Sequence, residues 1–426
     1  MTIKRRDFIK LSAASTTGAA LLASCTTPTP EASLPASSPL DRLKNMTGDI
    51  QPITPAERLT RIEKAQQLMA ENKIQGLYLD AGTSMEYFTG IKWGQSERML
   101  AVIIPAQGKV KYISPAFEAE RVKELMTIDG EIREWQEHES PYTLVAGALK
   151  DMGIRTGALA MEERVRFFLF DGIRKAAGHL NYVSGDPITI PLRMFKTTTE
   201  LALMQRANDI TLLAHQVCTE MMKEGMTPQE FSALSQEAHK RMGVSGGCMV
   251  NFGEASAYPH GSIQQQYLKI GDIVLMDGGC KVGGYSSDIS RTVVFGAEPT
   301  ARQREIWDLE KKAQAAGFGA AQPGAPCENV DIAARQVLVD AGFGPGYKVP
   351  GLPHRTGHGI GMDGHEWGNM VLGNKQPLMP GMCFSIEPNI SIYGEFGIRL
   401  EDCAYMTEEG VKWFSQPSQA IDQPFA

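Results

Sequence analysis

The sequence has no apolar run long enough to span a membrane and no concentration of positive charge beyond its first ten residues. The apolar run at residues 11–23 is shorter than the roughly 20 residues that a helix needs to cross a bilayer. Lysine and arginine number 42 against 49 acidic residues, for a net charge of −7. This balance argues against a nucleic-acid partner. With 426 residues, the chain is long enough for two domains.

Paired cysteines are also missing. The seven cysteines include no CxxC pair and no other spacing typical of a zinc site. For a chain that leaves the cytoplasm, disulfide bonds between these cysteines are the alternative. The stronger expectation is buried free thiols that pack as small apolar residues, at Cys218, Cys248, Cys280, Cys327, Cys383 and Cys403.

Residues 1–25 are typical of an export signal, with four basic residues before the apolar run. The segment KRRDFIK resembles a twin-arginine signal, and LASC at 22–25 resembles a lipobox in which Cys25 is acylated. A cleaved signal with an incidental cysteine is the alternative. Residues 26–45, which begin TTPTPEASLPASSP, are predicted to be a flexible tether. We therefore expect export by the twin-arginine machinery to the periplasm, either as a periplasmic protein or as a membrane-anchored lipoprotein.

The remaining chain changes character near residue 190. Residues 46–190 show a helix after the Thr54 capping box, a strand at 76–80 and a hairpin at 99–114, an alternation that indicates an α/β domain. Residues 191–426 show two helices, strands, two more helices and strands again, which indicates one unit used twice. Their helices begin after Thr197, Thr227 and Thr300 and near Glu328. The expected fold class is α+β.

Two aspartates flank a glycine-rich segment. Asp277 is predicted to end one strand and Asp288 to begin the next, so that both carboxylates face one point across a hairpin. Turn caps are the alternative. The segment HRTGHGIGMDGHE then places His354, His358 and His365 among four glycines, which allow a close approach of the backbone to a ligand. This density of histidine indicates a functional site.

Two glutamates lie in apolar, strand-like stretches. A carboxylate buried without a partner is costly, so Glu387 and Glu401 each need one. Arg399 could form a structural salt bridge with Glu401. A cation bound by several carboxylates is the alternative.

The motifs MDGG, SSDISRT, HRTGHGIGMDGHE, SIEP and GIRLED, in this order, resemble the metal-site motifs of the pita-bread metallopeptidases. That family contains methionine aminopeptidase, prolidase and Xaa-Pro aminopeptidase. The resemblance covers about residues 193–416, and residues 50–190 more weakly resemble a creatinase-type N-terminal domain. It implies a pita-bread catalytic domain with five metal ligands, Asp277, Asp288, His358, Glu387 and Glu401.

The resemblance also implies roles for other residues of the site. His260 and His365 would stabilise the tetrahedral intermediate and donate protons, and Glu387 would act as general base. His354 would contact substrate and mark the proline-specific branch. Arg399 would orient a carboxylate or the scissile carbonyl, with an ion pair as the alternative.

The ligand set constrains the metal. Four carboxylates and one imidazole suit Mn²⁺ and would also bind Zn²⁺, Co²⁺ or Fe²⁺. Four carboxylates are too many for one small ion and fit two cations about 3.5–4 Å apart that activate a bridging water. Folding before export would let the protein load its metal in the cytoplasm.

The resemblance implies hydrolysis of the bond between an N-terminal residue and proline in short peptides. This bond is a tertiary amide without an N–H, so polarisation of its carbonyl by metal replaces a missing hydrogen bond. One alternative keeps the fold for a hydrolase or lyase that acts on a small non-peptide metabolite. Another is a lipid-anchored solute-binding protein, which would not need the five ligands. A homodimer is the expected assembly, and the choice between dipeptidase and aminopeptidase stays open.

Overall fold

The structure is a computed structural model that describes residues 38–425. The predicted export signal, Cys25 and the predicted tether up to residue 37 lie outside the described residues. The tether prediction is wrong at its C-terminal end, where Pro39–Arg42 forms a 3-10 helix. Leu40 and Leu43 are buried in the main core, and burial of two leucines fixes this segment on the folded body. Within residues 38–425, no helix combines the length and apolar character needed to cross a bilayer.

The first half of the described chain is built around a six-stranded mixed sheet in the order β4-β3-β2-β1-β5-β6. Strand β2 is antiparallel to β1 and β3, and the other neighbours are parallel. The elements are α1 (Pro55–Glu71), β1 (Ile74–Asp80), α2 (Thr83–Thr89), β2 (Ala101–Pro105), β3 (Val110–Pro115), a 3-10 helix (Ala116–Glu118), α3 (Ala119–Leu125), β4 (Gly130–Trp135), α4 (Pro141–Asp151), β5 (Ala158–Met161), α5 (Phe167–Ala176), β6 (Asn181–Ser184) and α6 (Asp186–Met194).

Both faces of this sheet are covered. In β1, Leu77 and Leu79 pack in one buried cluster and Tyr78 in another, because successive side chains of a strand point to opposite faces. The helix predicted after Thr54, the strand at 76–80 and the hairpin at 99–114 are confirmed.

The second half contains two larger sheets and a two-stranded ribbon. Their strand orders are β10-β8-β7, with β9 paired to β8, then β12-β11-β13-β16-β17, and β14-β15. The elements are α7 (Thr198–Glu220), α8 (Pro228–Arg241), β7 (Gly246–Phe252), a 3-10 helix (Gly253–Ala257), β8 (Ile273–Val282), β9 (Tyr285–Ser286), β10 (Ile289–Val294), α9 (Ala301–Ala320), α10 (Glu328–Asp340), β11 (Gly357–Gly359), β12 (Glu366–Met370), β13 (Cys383–Ile386), β14 (Asn389–Ile392), β15 (Phe396–Arg399), β16 (Asp402–Thr407) and β17 (Gly410–Trp413).

The four predicted helices of this half are confirmed, and so is the mixed α and β content. Thr197, Thr227 and Thr300 each accept a hydrogen bond from the backbone three residues later, in complete capping boxes. Helix α7 ends at Glu220. The six cysteines between residues 218 and 403 are free and buried, as expected of thiols that pack as apolar groups.

The strand predictions around the two aspartates need correction. Asp277 lies inside β8, not at its end, because the strand continues to Val282. Gly278 and Gly279 allow close backbone approach and do not form the turn: a Cβ on Gly278 would lie 2.2 Å from the carbonyl oxygen of Gly247. The strand-like stretch that contains Glu401 forms two strands, β15 and β16, and Glu401 lies between them.

Candidate metal centre

All the candidate site residues within the described chain line one cavity of about 340 Å³. It lies between the two larger sheets of the second half, which meet where Ser290 bridges to Glu401 by hydrogen bonds of 3.3 and 3.2 Å between their backbones. The cavity is lined by Asp277, Asp288, His358, Glu387, Glu401, His260, His354, His365 and Arg399, together with Pro259 and Arg355.

Each of the five proposed ligands occupies a defined position on a strand or at its end. Asp277 lies within β8 opposite Ser290 of β10, and Asp288 immediately precedes β10. His358 is the central residue of β11, which pairs with β13. Glu387 immediately follows β13, and Glu401 joins β15 to β16. Rigid strands thus bring together groups that lie up to 124 positions apart, Asp277 and Glu401.

The imidazole of His358 lies at the centre of the carboxylates. Its Nε2 is 3.2 Å from Glu387 Oε1 and 3.8 Å from both Asp288 Oδ2 and Glu401 Oε1. Asp277, Asp288 and Glu401 form a second group in which one ligand atom from each residue lies within 4.8 Å of the others. Two overlapping sets of donor atoms are therefore present.

The contacts of His358 test whether this donor set suits a metal. Its Nδ1 is 3.0 Å from the carbonyl oxygen of Gly359, an acceptor, so we assign the proton to Nδ1. Nε2 then presents a lone pair to carboxylate oxygens. Burial lowers the pKa of His358 to about 3, so a proton does not lie between Nε2 and the carboxylates. Glu401 Oε1 is buried and has no hydrogen-bond partner among residues 38–425. A divalent cation would be coordinated by these facing lone pairs, and the residue types fit such an ion.

The carboxylates respond to burial and to one another. Burial raises the pKa of Glu401 and Asp288 well above the usual value for a carboxyl, and the neighbouring carboxylates add to the rise. Burial raises the pKa of Glu387 to about 7 against the opposing charge of Arg399. The cluster thus holds more negative charge than its protein surroundings neutralise.

Arg399 pairs with Asp277, not with Glu401 as the salt-bridge alternative supposed. Its Nη2 lies 2.5 Å from Asp277 Oδ2, and its Nε donates to Ser290 Oγ at 2.9 Å. Ser290 Oγ also lies 3.0 Å from Asp277 Oδ1 and 2.8 Å from Glu401 Oε2. Sequence reasoning missed Ser290, although its position two residues after Asp288 in a strand predicts the same face.

The three remaining histidines differ in their surroundings. His354 is half-buried, its Nδ1 lies 2.7 Å from the carbonyl oxygen of Arg355, and its buried Nε2 has no hydrogen-bond partner. His365 is exposed and its ring lies 4.0 Å from that of His358. It also forms a possible ligand group with Asp288 and His358, which the substrate-facing role did not anticipate. His260 is exposed at the cavity wall.

Helix α10 supports the segment that contains His354. Arg335 donates to the carbonyl oxygens of Leu352, at 2.9 Å, and His354. Its own position is fixed by Asp331, which also accepts hydrogen bonds from the backbone and side chain of Thr356. Sequence reasoning missed this pair, although its i, i+4 spacing on a predicted helix was a readable signal.

Comparisons with known proteins agree with this geometry. Residues 202–408 match the model of metallopeptidase family M24, and residues 61–195 match that of the creatinase/prolidase N-terminal domain. The chain is 32% identical over 373 residues to an Xaa-Pro dipeptidase of Lactobacillus delbrueckii subsp. lactis, covering 84% of this chain and 98% of the relative.

Solved structures show the same fold. A prolidase from Thermococcus sibiricus superposes with a TM-score of 0.77 at 28% identity, covering 84% of this chain and 96% of its own. Dipeptidase PepE from Mycobacterium ulcerans superposes with a TM-score of 0.77 at 30% identity, covering 86% of this chain and 97% of its own.

Proposed function

The chain belongs to metallopeptidase family M24, and from this membership we propose that it hydrolyses the bond between an N-terminal residue and proline in short peptides. The proposal is supported by relatives named Xaa-Pro dipeptidase that match the chain over nearly their whole length. The observation that carries it is the unprotonated Nε2 of His358, which faces the carboxylates of Asp288, Glu387 and Glu401. Such a set binds divalent metal, on which enzymes of this family depend.

We assign five ligands and propose two divalent ions, with Mn²⁺ as the best fit to a set of mostly oxygen donors. His358 and Glu387 belong to one donor group and Asp277 to the other, and Glu401 belongs to both. Asp288 groups with Asp277 and Glu401, and separately with His358 and His365. When bound, the ions activate a water molecule and polarise the scissile carbonyl.

The chain's own groups supply proton transfer and orientation. Glu387 accepts the proton of the attacking water as the general base. His365 and His260, at the open side of the cavity, stabilise the tetrahedral intermediate and return protons to the leaving amine. His354 contacts the substrate, and Arg399 holds the carboxylate of Asp277 in place.

An assay of the Mn²⁺-loaded protein tests this function. We expect cleavage of Xaa-Pro dipeptides or of longer Xaa-Pro peptides, abolished by a chelator and restored by metal, with far slower cleavage of matched Xaa-Ala peptides. His354→Ala is expected to lower kcat/KM for proline substrates by about 10- to 100-fold. His138→Ala, at an exposed histidine of the first half, is the matched control.

Failure of the loaded protein to cleave any Xaa-Pro peptide would overturn the proposal. Cleavage of a small non-peptide amide in its place would support the alternative of a hydrolase or lyase on the same fold. The relative rates on dipeptides and longer peptides then assign dipeptidase or aminopeptidase activity.

We also propose that the protein is exported by the twin-arginine machinery and anchored at the periplasmic side through acylated Cys25, and that it forms a homodimer. The support is the motif at residues 5–25 and, for the dimer, the resemblance to its family. Cys25→Ser should move the protein from the membrane fraction to the soluble fraction. An unchanged distribution would remove the anchor, and a monomer mass in solution would remove the dimer.

A further inference from the structure

Residues 361–367, which comprise the bends before β12 and the first two residues of that strand, present His365 to the cavity and are here named the His365 loop. Within residues 38–425, the ring of His365 makes no hydrogen bond, and its ring contact is with His358 at 4.0 Å between centroids. The loop itself is a series of bends with little regular structure. The position of the His365 ring therefore depends on how the loop backbone is held.

Asp363 fixes the loop before His365. Thr83 Oγ1 donates to its Oδ1 at 2.7 Å, and its Oδ2 lies 2.7 Å from Arg193 Nη2 and 2.9 Å from Arg164 Nη1. These partners lie at the start of α2, in α6 and between β5 and α5. All three belong to the first half of the chain, and none lines the cavity.

Glu366 and Trp367 fix the loop after His365. Glu366 pairs with Arg193 at 2.5 Å and with Lys196 at 2.9 Å. The indole Nε1 of Trp367 donates to Glu163 Oε2 at 3.0 Å. His365 thus lies between two anchored positions, each held by residues before the second half begins.

The energetics of these contacts indicate that they do more than stabilise the fold. A buried ion pair gains little over apolar packing because both charges lose their hydration. What a set of directional charged contacts does supply is a defined geometry. Here it fixes a short loop that has no sheet partner of its own between Gly361 and His365.

We propose that Asp363 is a positioning residue, through which Thr83, Arg164 and Arg193 of the first half hold His365 against His358 at the metal centre. The inference rests on the proposed function for the role of His365. It assigns the first half of the chain a direct part in arranging the site, in addition to covering it. Asp363→Asn removes the charge that two guanidinium groups share while Arg193 keeps its contact with Glu366, so the variant is expected to fold.

A double-mutant cycle on the Mn²⁺-loaded full chain tests the proposal, with Asp363→Asn, His365→Ala and the double variant. We expect Asp363→Asn to lower kcat/KM on an Xaa-Pro dipeptide by about 10- to 100-fold, as a displaced catalytic group does, mainly through kcat. In the His365→Ala background the same change should cost nothing further, because its effect passes through His365. An equal loss in both backgrounds would overturn the proposal.

A second pair of variants uses arginines of similar exposure. Arg164→Ala, whose side chain is 47% exposed, should lower kcat by about 3- to 10-fold, with rescue by Arg164→Lys. Arg98→Ala, 42% exposed and paired with Glu137 at 3.0 Å, lies away from the loop and should leave kcat unchanged. Equal effects of the two alanine variants would contradict the positioning role.

Hydrogen exchange separates this inference from the proposed function. Asp363→Asn should speed amide exchange in residues 361–367 while leaving β8 and β13 unchanged, whether or not the protein cleaves peptides. A wild-type protein without peptidase activity would reject the proposed function, and the exchange data would still test the anchoring of the loop. Unchanged exchange in the loop would overturn the inference.

Discussion

Two groups of charged residues near the cavity differ in how their charge is neutralised. The acidic cluster consists of Asp277, Asp288, His358, Glu387 and Glu401, and Arg399 is its one arginine partner. The balanced cluster consists of Asp363 and Glu366 with Arg164, Arg193 and Lys196. The first has four carboxylates for one arginine, and the second has three cations for two carboxylates.

The carboxyl groups of the two clusters respond to burial in opposite ways. Burial raises the pKa of Glu401, and neighbouring carboxylates raise it further. Burial also favours a higher pKa for Glu366, but Lys196 and Arg193 reverse the effect and its pKa is lowered. Burial therefore favours a higher carboxyl pKa in both clusters, and the neighbouring charges decide whether the pKa is raised or lowered. A cluster with excess negative charge indicates a binding site for a cation, whereas a cluster whose carboxylates are paired with cations indicates a structural role.

The largest expected effect that separates the clusters is the loss of catalysis in Glu387→Gln. The amide cannot accept the proton of the attacking water and is a weaker metal ligand, so we expect kcat to fall by about 1000-fold or more. The measurement is kcat on an Xaa-Pro dipeptide at saturating Mn²⁺, with metal content determined on the same sample.

The stability of metal-free Glu387→Gln provides the contrast. Because the change removes one of several mutually repelling carboxylates, the free energy of unfolding without metal should not decrease. A variant that stayed active, or that unfolded markedly more easily without metal, would show that Glu387 is a structural residue like those of the balanced cluster.

The balanced cluster predicts the next largest effect, and it concerns stability. Glu366→Gln leaves Arg193 and Lys196 buried with one carboxylate fewer, so the free energy of unfolding should fall by about 3 kcal/mol. Urea unfolding of metal-free wild type and variant measures the difference. The control is Glu395→Gln, at an exposed ion pair with Arg302, for which a change of less than about 1 kcal/mol is expected. Equal stability of Glu366→Gln and wild type would show that the balanced cluster does not stabilise the fold.

The comparison also explains what the sequence could and could not predict. Helices with capping boxes, such as α7 and α9, were predictable because their signals are local. Asp277 and Glu401 were singled out as candidate ligands through motifs, although their strand positions were partly wrong. Asp277 lies inside β8 because pairing with β7 extends the strand across glycines that otherwise suggest a turn. Local propensity does not contain this information, since the partner strand supplies it.

The balanced cluster was not predictable at all. Asp363 meets Thr83, a residue 280 positions away, and charged residues in a sequence do not reveal their partners. The acidic cluster was identified since metal chemistry restricts its residue types and their order. Long-range ion pairs that stabilise the fold have no such restriction on residue type or order. Carboxylates could therefore be assigned a role from the sequence in the acidic cluster but not in the balanced cluster.

The smallest predicted effect concerns a buried titratable group that belongs to neither cluster. His215 in α7 is fully buried, and its Nε2 lies 3.0 Å from the carbonyl oxygen of Ile289. Burial lowers its pKa to about 4, whereas an unfolded chain binds this proton below about 6.5. Between these values the unfolded state holds more protons, so stability decreases as the pH falls through the window.

The variant His215→Gln measures how the burial of a titratable group without a charged partner changes the free energy of unfolding. Glutamine can still donate to the Ile289 carbonyl but cannot take up a proton, so the variant should lose roughly 2 kcal/mol less stability than wild type between pH 7 and pH 5. Urea unfolding of both metal-free proteins at the two pH values gives the difference, in which the contributions of His354 and His358 cancel. If the two proteins lose stability equally, His215 is protonated in the folded state, and burial alone does not suffice to hold a group neutral here. The contrast between the clusters would then rest on their partners only.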